Sequence, residues 1–253
     1  MYSIVFYSKS IAFFKIAKQI KFYIPIIGFY KGDVLMDSKL RFSLLLFTLI
    51  GFGSMALLIK ENDIVHFDKV IIAFIQSLES PYITATMKFF SFIGSGSSIN
   101  FIAVVSVIVL YFFLHHRSEL LLFILVLIGS HYLFRFLKEI FQRVRPDLHR
   151  LIEIGGYSFP SGHATNAITV YGILTFLLWR HISTYLGRTL LLIFSIFMIF
   201  FIGISRIYLG VHYPSDVLAG YFAGGFWLLI SIWCFQFTKE KIYERTHTKY
   251  PYI

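Results

Sequence analysis

"YSFPSGHATNAITVYGILTFLLW" spans Tyr157–Trp179. A polar knot, Pro160-Ser161-Gly162-His163, turns at once into an uncharged apolar stretch that ends at Trp179. Ser161 is placed to cap a helix beginning there. The amides near Ser161, Gly162 and His163 would then point at an anion, which a helix N-terminus favours, and Gly162 lets the backbone come close. A histidine at the mouth of an apolar helix makes sense only with partners from elsewhere in the chain.

The surroundings are those of a membrane protein. The chain is 57% hydrophobic and 14% charged, with 30 phenylalanines among 253 residues. Soluble domains carry about 25% charged residues. Uncharged apolar runs occur at 42–59, 89–114, 120–134, 164–179, 189–205 and 217–238. Each is bounded by charge, Gly or Pro, and with their flanks they approach the roughly 20 residues a spanning helix needs. The expected architecture is an all-α integral membrane bundle of six transmembrane helices. Gly94-Ser95-Gly96 marks a break in the second run, with the span proper starting near Ser97. Residues 66–93 mix apolar clusters with charges and a proline, and read as short interfacial helices between spans 1 and 2.

Three segments follow from this pattern. Residues 1–35 form a basic N-terminal extension that reads either as an amphipathic segment on the membrane or as an over-long start ahead of Met36. Residues 36–240 hold the six-span domain, and 241–253 a cytoplasmic tail. The single cysteine, Cys234, can form no internal disulfide. The net charge of +10 belongs to residues that mostly flank apolar runs. It therefore points to membrane orientation and anionic lipid rather than to nucleic acid. With both termini inside, seven Lys/Arg before Phe42, Arg117, Arg180, Arg188 and four after Thr238 face inward, leaving nine outside. The bias favours this orientation, though five of the inner lysines belong to the first 35 residues.

Five of the outer nine crowd between Arg135 and Arg150, where topology alone does not account for them. The third span exits through "LKEIFQRVRPD", with Lys138 and then Arg145-Pro146. The fourth starts at Pro160–His163, the fifth exits at Ser205-Arg206, and the sixth starts through "VHYPSD" with His212 and Asp216. Three clusters distant in sequence thus meet at one membrane level on one face. Lys138, Arg145 and Arg206 supply charge and forked donors suited to a phosphoryl group. One histidine could attack phosphorus, the other could protonate the leaving oxygen, and Asp216 could fix the tautomer of His212. Singly, each piece has a bland reading: a basic loop, a helix start, a structural hydrogen bond. Their order and spacing together carry the inference.

"KEIFQRVRP", "PSGH" and "SRIYLGVHYPSD" resemble, in order and spacing, the three-part signature of the type-2 phosphatidic acid phosphatase superfamily. That group includes bacterial lipid phosphatases and the soluble vanadium haloperoxidases. The resemblance implies a phosphohistidine formed on His212, with Asp216 orienting it and His163 as general acid. Lys138, Arg145, Ser161, Gly162 and Arg206 are then the phosphate binders. It implies no metal and no other cofactor, and no outer Asp/Glu cluster offers a Mg²⁺ site. The implied substrate is a lipid phosphate monoester or diphosphate: phosphatidylglycerophosphate, undecaprenyl diphosphate or phosphatidate. The implied location is the cell membrane, with the site on the extracytoplasmic face. Alternatives are a vanadate-binding haloperoxidase-like protein, which six apolar spans oppose, and a non-catalytic lipid-binding or transport protein, which the complete His163, His212 and Asp216 set opposes. The sequence sets no oligomeric state. His131, Arg135 and Lys138 share a helix face, where His131 reads as a satisfied interior histidine. Glu153, Tyr157 and Tyr208 are further candidates to touch a headgroup.

Overall fold

The computed structural model describes residues 27–30, 33–36, 38–61, 63–113, 117–147 and 149–249. The chain divides into two units, Met1–Ser43 and Leu44–Ile253. In the first, β1 (Ile27–Tyr30) pairs antiparallel with β2 (Asp33–Met36). This hairpin is an addition to the all-α expectation, and its aromatic and β-branched residues suit strands. The remaining reading of residues 1–35 lies outside the described residues.

The second unit is helical. Its elements are α1 (Ser38–Lys60), which begins before the division, then α2 (Val65–Gln76), α3 (Pro81–Ile93), α4 (Gly96–Ile108), α5 (Arg117–Phe141), α6 (Gly162–Trp179), α7 (Tyr185–Tyr208) and α8 (Pro214–Lys249). A five-residue π-helical stretch, Val109–Phe113, extends α4. The helix starts are written locally. Ser80, Ser95, Ser161 and Thr184 each accept a backbone N–H three residues on, and Pro81 takes the first helical position of α3.

Among the described residues four helices are long and apolar enough to cross a membrane: α1, α5, α7 and the portion Pro214–Ile242 of α8. The pair α3 and α4, bent by 53° at Gly94-Ser95, makes a fifth if it counts as one broken span. The break is where the glycines place it. Residues 65–93 form two short helices, as the mixed pattern suggested. The helix α6 is not among the four. Its first half carries His163, Thr165, Asn166 and Thr169, and it packs against α5, α7 and α8. It is the axis of the bundle, solvated by its neighbours rather than by lipid. By contrast α1 exposes Phe47, Ile50 and Leu57, and α7 exposes Leu190, Ile193 and Phe200. Apolar surface on that scale faces hydrocarbon.

Two close approaches align the helix mouths. At Gly220 of α8 a Cβ would lie 2.7 Å from the Ser161 carbonyl, and at Gly224 2.8 Å from that of Thr165. Small residues four apart thus let α8 lie backbone to backbone on α6. At the end of α7, Gly210 takes a positive φ of 71° and turns the chain toward His212. Apolar packing of Ile72, Ala164, Ile207 and Val217 closes this end, and Phe123, Val126, Ile173 and Leu177 fill the other.

Candidate active site

All eight residues expected at the site come together at the ends of α5, α6, α7 and α8. The hinge of the arrangement is the joint between two helix mouths. Ser161 caps α6 through its side chain at Ala164 N–H (3.5 Å), while its own N–H donates to the Asp216 carbonyl at 3.0 Å. Gly162 follows, where a Cβ would press on the Phe134 ring at 3.1 Å.

His212 is 2% exposed. Its Nε2 lies 3.2 Å from Arg145 Nη1, and its Nδ1 lies 3.4 Å from Asp216 Oδ2. A guanidinium only donates, so Nε2 must accept and the proton of the neutral ring belongs on Nδ1. That Nδ1 has no bond of good geometry among the described residues, so its approach to Asp216 is a contact. Burial pushes the imidazole well below the usual histidine range; Arg206 and Arg145 push the same way, against Asp216. The ring is therefore neutral at physiological pH, with its Nε2 lone pair available.

Asp216 is fully buried. Its Oδ2 accepts from Ser158 Oγ and from the Tyr213 N–H at 2.9 Å, and its Oδ1 from Arg143 Nη1 at 2.6 Å. Arg145 reaches the carbonyls of Val211 at 2.7 Å, Gly156 at 3.0 Å and Tyr157 at 3.2 Å, and burial pulls its pKa down from its ordinary value. Lys138 is held by the Tyr157 and Ser158 carbonyls, with Arg145, Arg206 and Asp216 as electrostatic neighbours.

Arg206 differs from the other two cations. It is 1% exposed and donates through Nη1 to Ser91 Oγ. Its Nε and Nη2 are buried with no partner among the described residues. His163 lies beside the Ser91 backbone, within electrostatic reach of Arg206, His212 and Arg145. Burying donors without acceptors is costly, about 1–3 kcal/mol each and more when charged. An arginine left so, beside two histidines, is arranged for an anion. Among the described residues no three His, Cys, Asp or Glu side chains gather as metal ligands would.

Several partners escaped the sequence reading. Ser91 of α3, Asp68 of α2, Arg143, Ser158 and Ser215 all enter the polar network. Each pairs with residues far along the chain, and only Arg143, in the basic crowd at 135–150, carries a local signal. Conversely, His131 is exposed, edge-on to Phe134, and is no satisfied interior histidine. Tyr208 turns away from the site: its hydroxyl meets Thr84 Oγ1 at 2.7 Å and ties α3 to α7. Glu153 is exposed, and Tyr157 contributes its carbonyl. Beside Lys138 and Tyr157 lies a groove of about 1000 Å³, walled by Tyr132, Leu133, Phe136 and Trp227.

A buried histidine faced by cations, inside a bundle of lipid-facing helices, suits a membrane-embedded hydrolase of anionic esters. The comparisons agree. Residues 119–240 match the model of the PAP2 superfamily. Phosphatidylglycerophosphatase B of Bacillus subtilis strain 168 is 33% identical over 184 residues, 72% of this chain and 88% of that protein. The lipid A 4'-phosphatase of Bacteroides thetaiotaomicron is 35% identical over 97 residues, 38% of each chain. The crystal structure of a transmembrane PAP2-type phosphatidylglycerolphosphate phosphatase from Bacillus subtilis superposes with a TM-score of 0.68 at 30% identity, over 80% of this chain and 96% of that one. The chain belongs to the PAP2 superfamily. It is a multi-pass membrane phosphatase of the lipid phosphatase type.

Proposed function

We propose that this protein removes phosphate from a lipid phosphate ester through a phosphohistidine on His212. The observation that carries the reading is Arg206, buried with Nε and Nη2 unpartnered beside His163 and the neutral His212. In the first half-reaction the Nε2 lone pair of His212 attacks phosphorus, and Arg145 Nη1 transfers its hydrogen bond from Nε2 to a phosphoryl oxygen. The P–O bond to the lipid breaks, and protonated His163 gives its proton to the leaving oxygen. In the second, His163 takes a proton from water, the oxygen attacks phosphorus, and the P–N bond breaks. Inorganic phosphate leaves and both histidines return to their starting states. Asp216 supports the Nδ1 proton throughout. Lys138, Arg206, Ser161 and the Gly162 amide hold the phosphoryl oxygens, whose charge builds in the transition state.

Phosphatidylglycerophosphate is the favoured substrate, because the relative matched along most of its length is named for it. Undecaprenyl diphosphate and phosphatidate are the competing substrates. The groove at Tyr132, Phe136 and Trp227 gives an acyl chain a place beside Lys138. We further propose six spans, with α6 crossing inside the ring of the others, both termini cytoplasmic and the site extracytoplasmic in the cell membrane. In this reading 36–240 is the catalytic domain.

The roles of the histidines separate by leaving group. General acid catalysis contributes about 10²–10⁴-fold. His163→Ala should lose that much on a lipid monoester, whose alkoxide leaves poorly, and far less on a nitrophenyl phosphate. It should still accumulate an acid-labile phosphoenzyme on the activated substrate. Equal loss on both substrates would overturn the assignment. A panel of the three lipids in detergent, compared by kcat/KM, tests the substrate.

A further inference from the structure

Asp68 lies in α2, ahead of every residue of the three-part signature, and is 1% exposed. Its Oδ1 accepts the Ser215 N–H at 2.9 Å, and its Oδ2 accepts Ser215 Oγ at 2.6 Å and Arg143 Nη2 at 2.8 Å. The other nitrogen of Arg143, Nη1, donates to Asp216 Oδ1 at 2.6 Å and to Ser215 Oγ at 2.8 Å. The guanidinium also lies over the Tyr213 ring, 3.9 Å from its centroid. One arginine therefore spans two buried carboxylates on different helices.

Part of this is helix capping. A carboxylate at the Ser215 amide is favourable at the start of α8. Capping alone, however, leaves the fork unexplained. By holding Oδ1 of Asp216, Arg143 leaves Oδ2 as the oxygen that faces His212 Nδ1. Oδ2 already accepts from Ser158 Oγ and the Tyr213 N–H, and the Arg143 bond to Oδ1 fixes the second oxygen, so the carboxylate cannot rotate about Cβ–Cγ; the Nδ1 contact, at 3.4 Å, is too loose to fix it. Arg143 also stands between two buried like charges, Asp68 and Asp216, and offsets their repulsion.

We propose that Arg143, anchored by Asp68, is a positioning residue for the reaction at His212: it locks the Asp216 carboxylate in the rotation that orients the imidazole. The proposal rests on His212 being the attacking residue. Among the described residues the Arg143 guanidinium donates to Asp68, Ser215 and Asp216, so it acts through Asp216 and not on the phosphate.

A misplacement of about 1 Å at a reacting group costs on the order of 10²-fold. Arg143→Ala, purified in detergent, should therefore lose about 10²-fold in kcat on a nitrophenyl phosphate. Its KM and its inhibition by inorganic phosphate should stay within about threefold of wild type, because Lys138, Arg145 and Arg206 are untouched. Added guanidinium should restore part of kcat. Wild-type kcat in Arg143→Ala would overturn the proposal. So would a parallel loss of phosphate inhibition, which would make Arg143 a binder or a general support. Should Arg143→Ala fail to fold, Asp68→Asn decides: reduced kcat with unchanged KM supports the clamp, and unchanged kcat sinks it. His212→Ala run alongside separates the two ideas. Activity remaining there condemns the phosphohistidine reading, whereas a normal Arg143→Ala beside a dead His212→Ala condemns only the clamp.

Discussion

Two buried charge clusters lie near opposite ends of α5, about 28 Å apart along the helix. At one end Glu119 accepts from Arg180 Nη1 at 2.9 Å, from Lys239 Nζ at 2.7 Å and from Ser118 at 2.7 Å. One carboxylate there meets two cations from elsewhere in the chain. At the other end Lys138, Arg145 and Arg206 converge on His163 and His212, and Arg206 keeps buried donors without acceptors. Both clusters set cations around a carboxylate. In one, Arg180 and Lys239 bond to Glu119 and tie helices together; in the other, Arg206 keeps buried donors that meet no acceptor among the described residues, as a site for a dianion would. Satisfaction of the donors, rather than the presence of charge, separates the structural cluster from the one proposed as the active site.

The sharpest way to break this contrast is to remove the nucleophile. His212→Ala should lose more than about 10⁴-fold in activity, as removal of a covalent nucleophile does, with no trappable phosphoenzyme. Radiolabelled substrate and acid quench measure both. A phosphoenzyme persisting in that variant would mean the cluster around His212 works by other chemistry.

Next in size is the unpartnered arginine. Arg206→Met should lose on the order of 10²–10³-fold in kcat, the usual loss for a transition-state donor. Replacing a buried, unsatisfied charge by an apolar side chain is often neutral or stabilising. The thermal midpoint should therefore hold or rise while activity falls. A variant that loses stability in step with activity would show that Arg206 is as structural as Arg180.

Glu119→Gln should do the reverse. It removes the carboxylate charge that Arg180 and Lys239 meet, so the midpoint should fall by several degrees, while kcat per folded molecule stays within about twofold. A large loss of kcat in folded protein would couple the two ends.

The smallest expected effect is that of a chelator. Activity should persist in excess chelator, since the phosphoryl charge is met by Lys138, Arg145 and Arg206. A loss restored by Mg²⁺ or Zn²⁺ would require a metal in the cluster around His212.

Much of this protein is legible in its sequence, because the deciding signals are local. Apolar runs bounded by charge or glycine mark the helices, the Gly94–Gly96 triplet marks the bend, and Ser161 marks the start of α6. The spacing from Lys138 to Arg145 and from Arg206 through His212 to Asp216 carries the site, because short segments at helix mouths bring their residues to one level whatever the details of packing. Only the tertiary structure decided the rest. The pairings of Arg143 with Asp68 and of Arg206 with Ser91 join residues 75 and 115 apart. No period or spacing specifies such a pair. The same holds for α6, whose threonines and asparagine weaken its apolar signal. Its character follows from what surrounds it: helices on several sides, rather than lipid, satisfy those groups. Sequence fixes what a side chain can donate or accept; packing decides which partner is there, and whether any is.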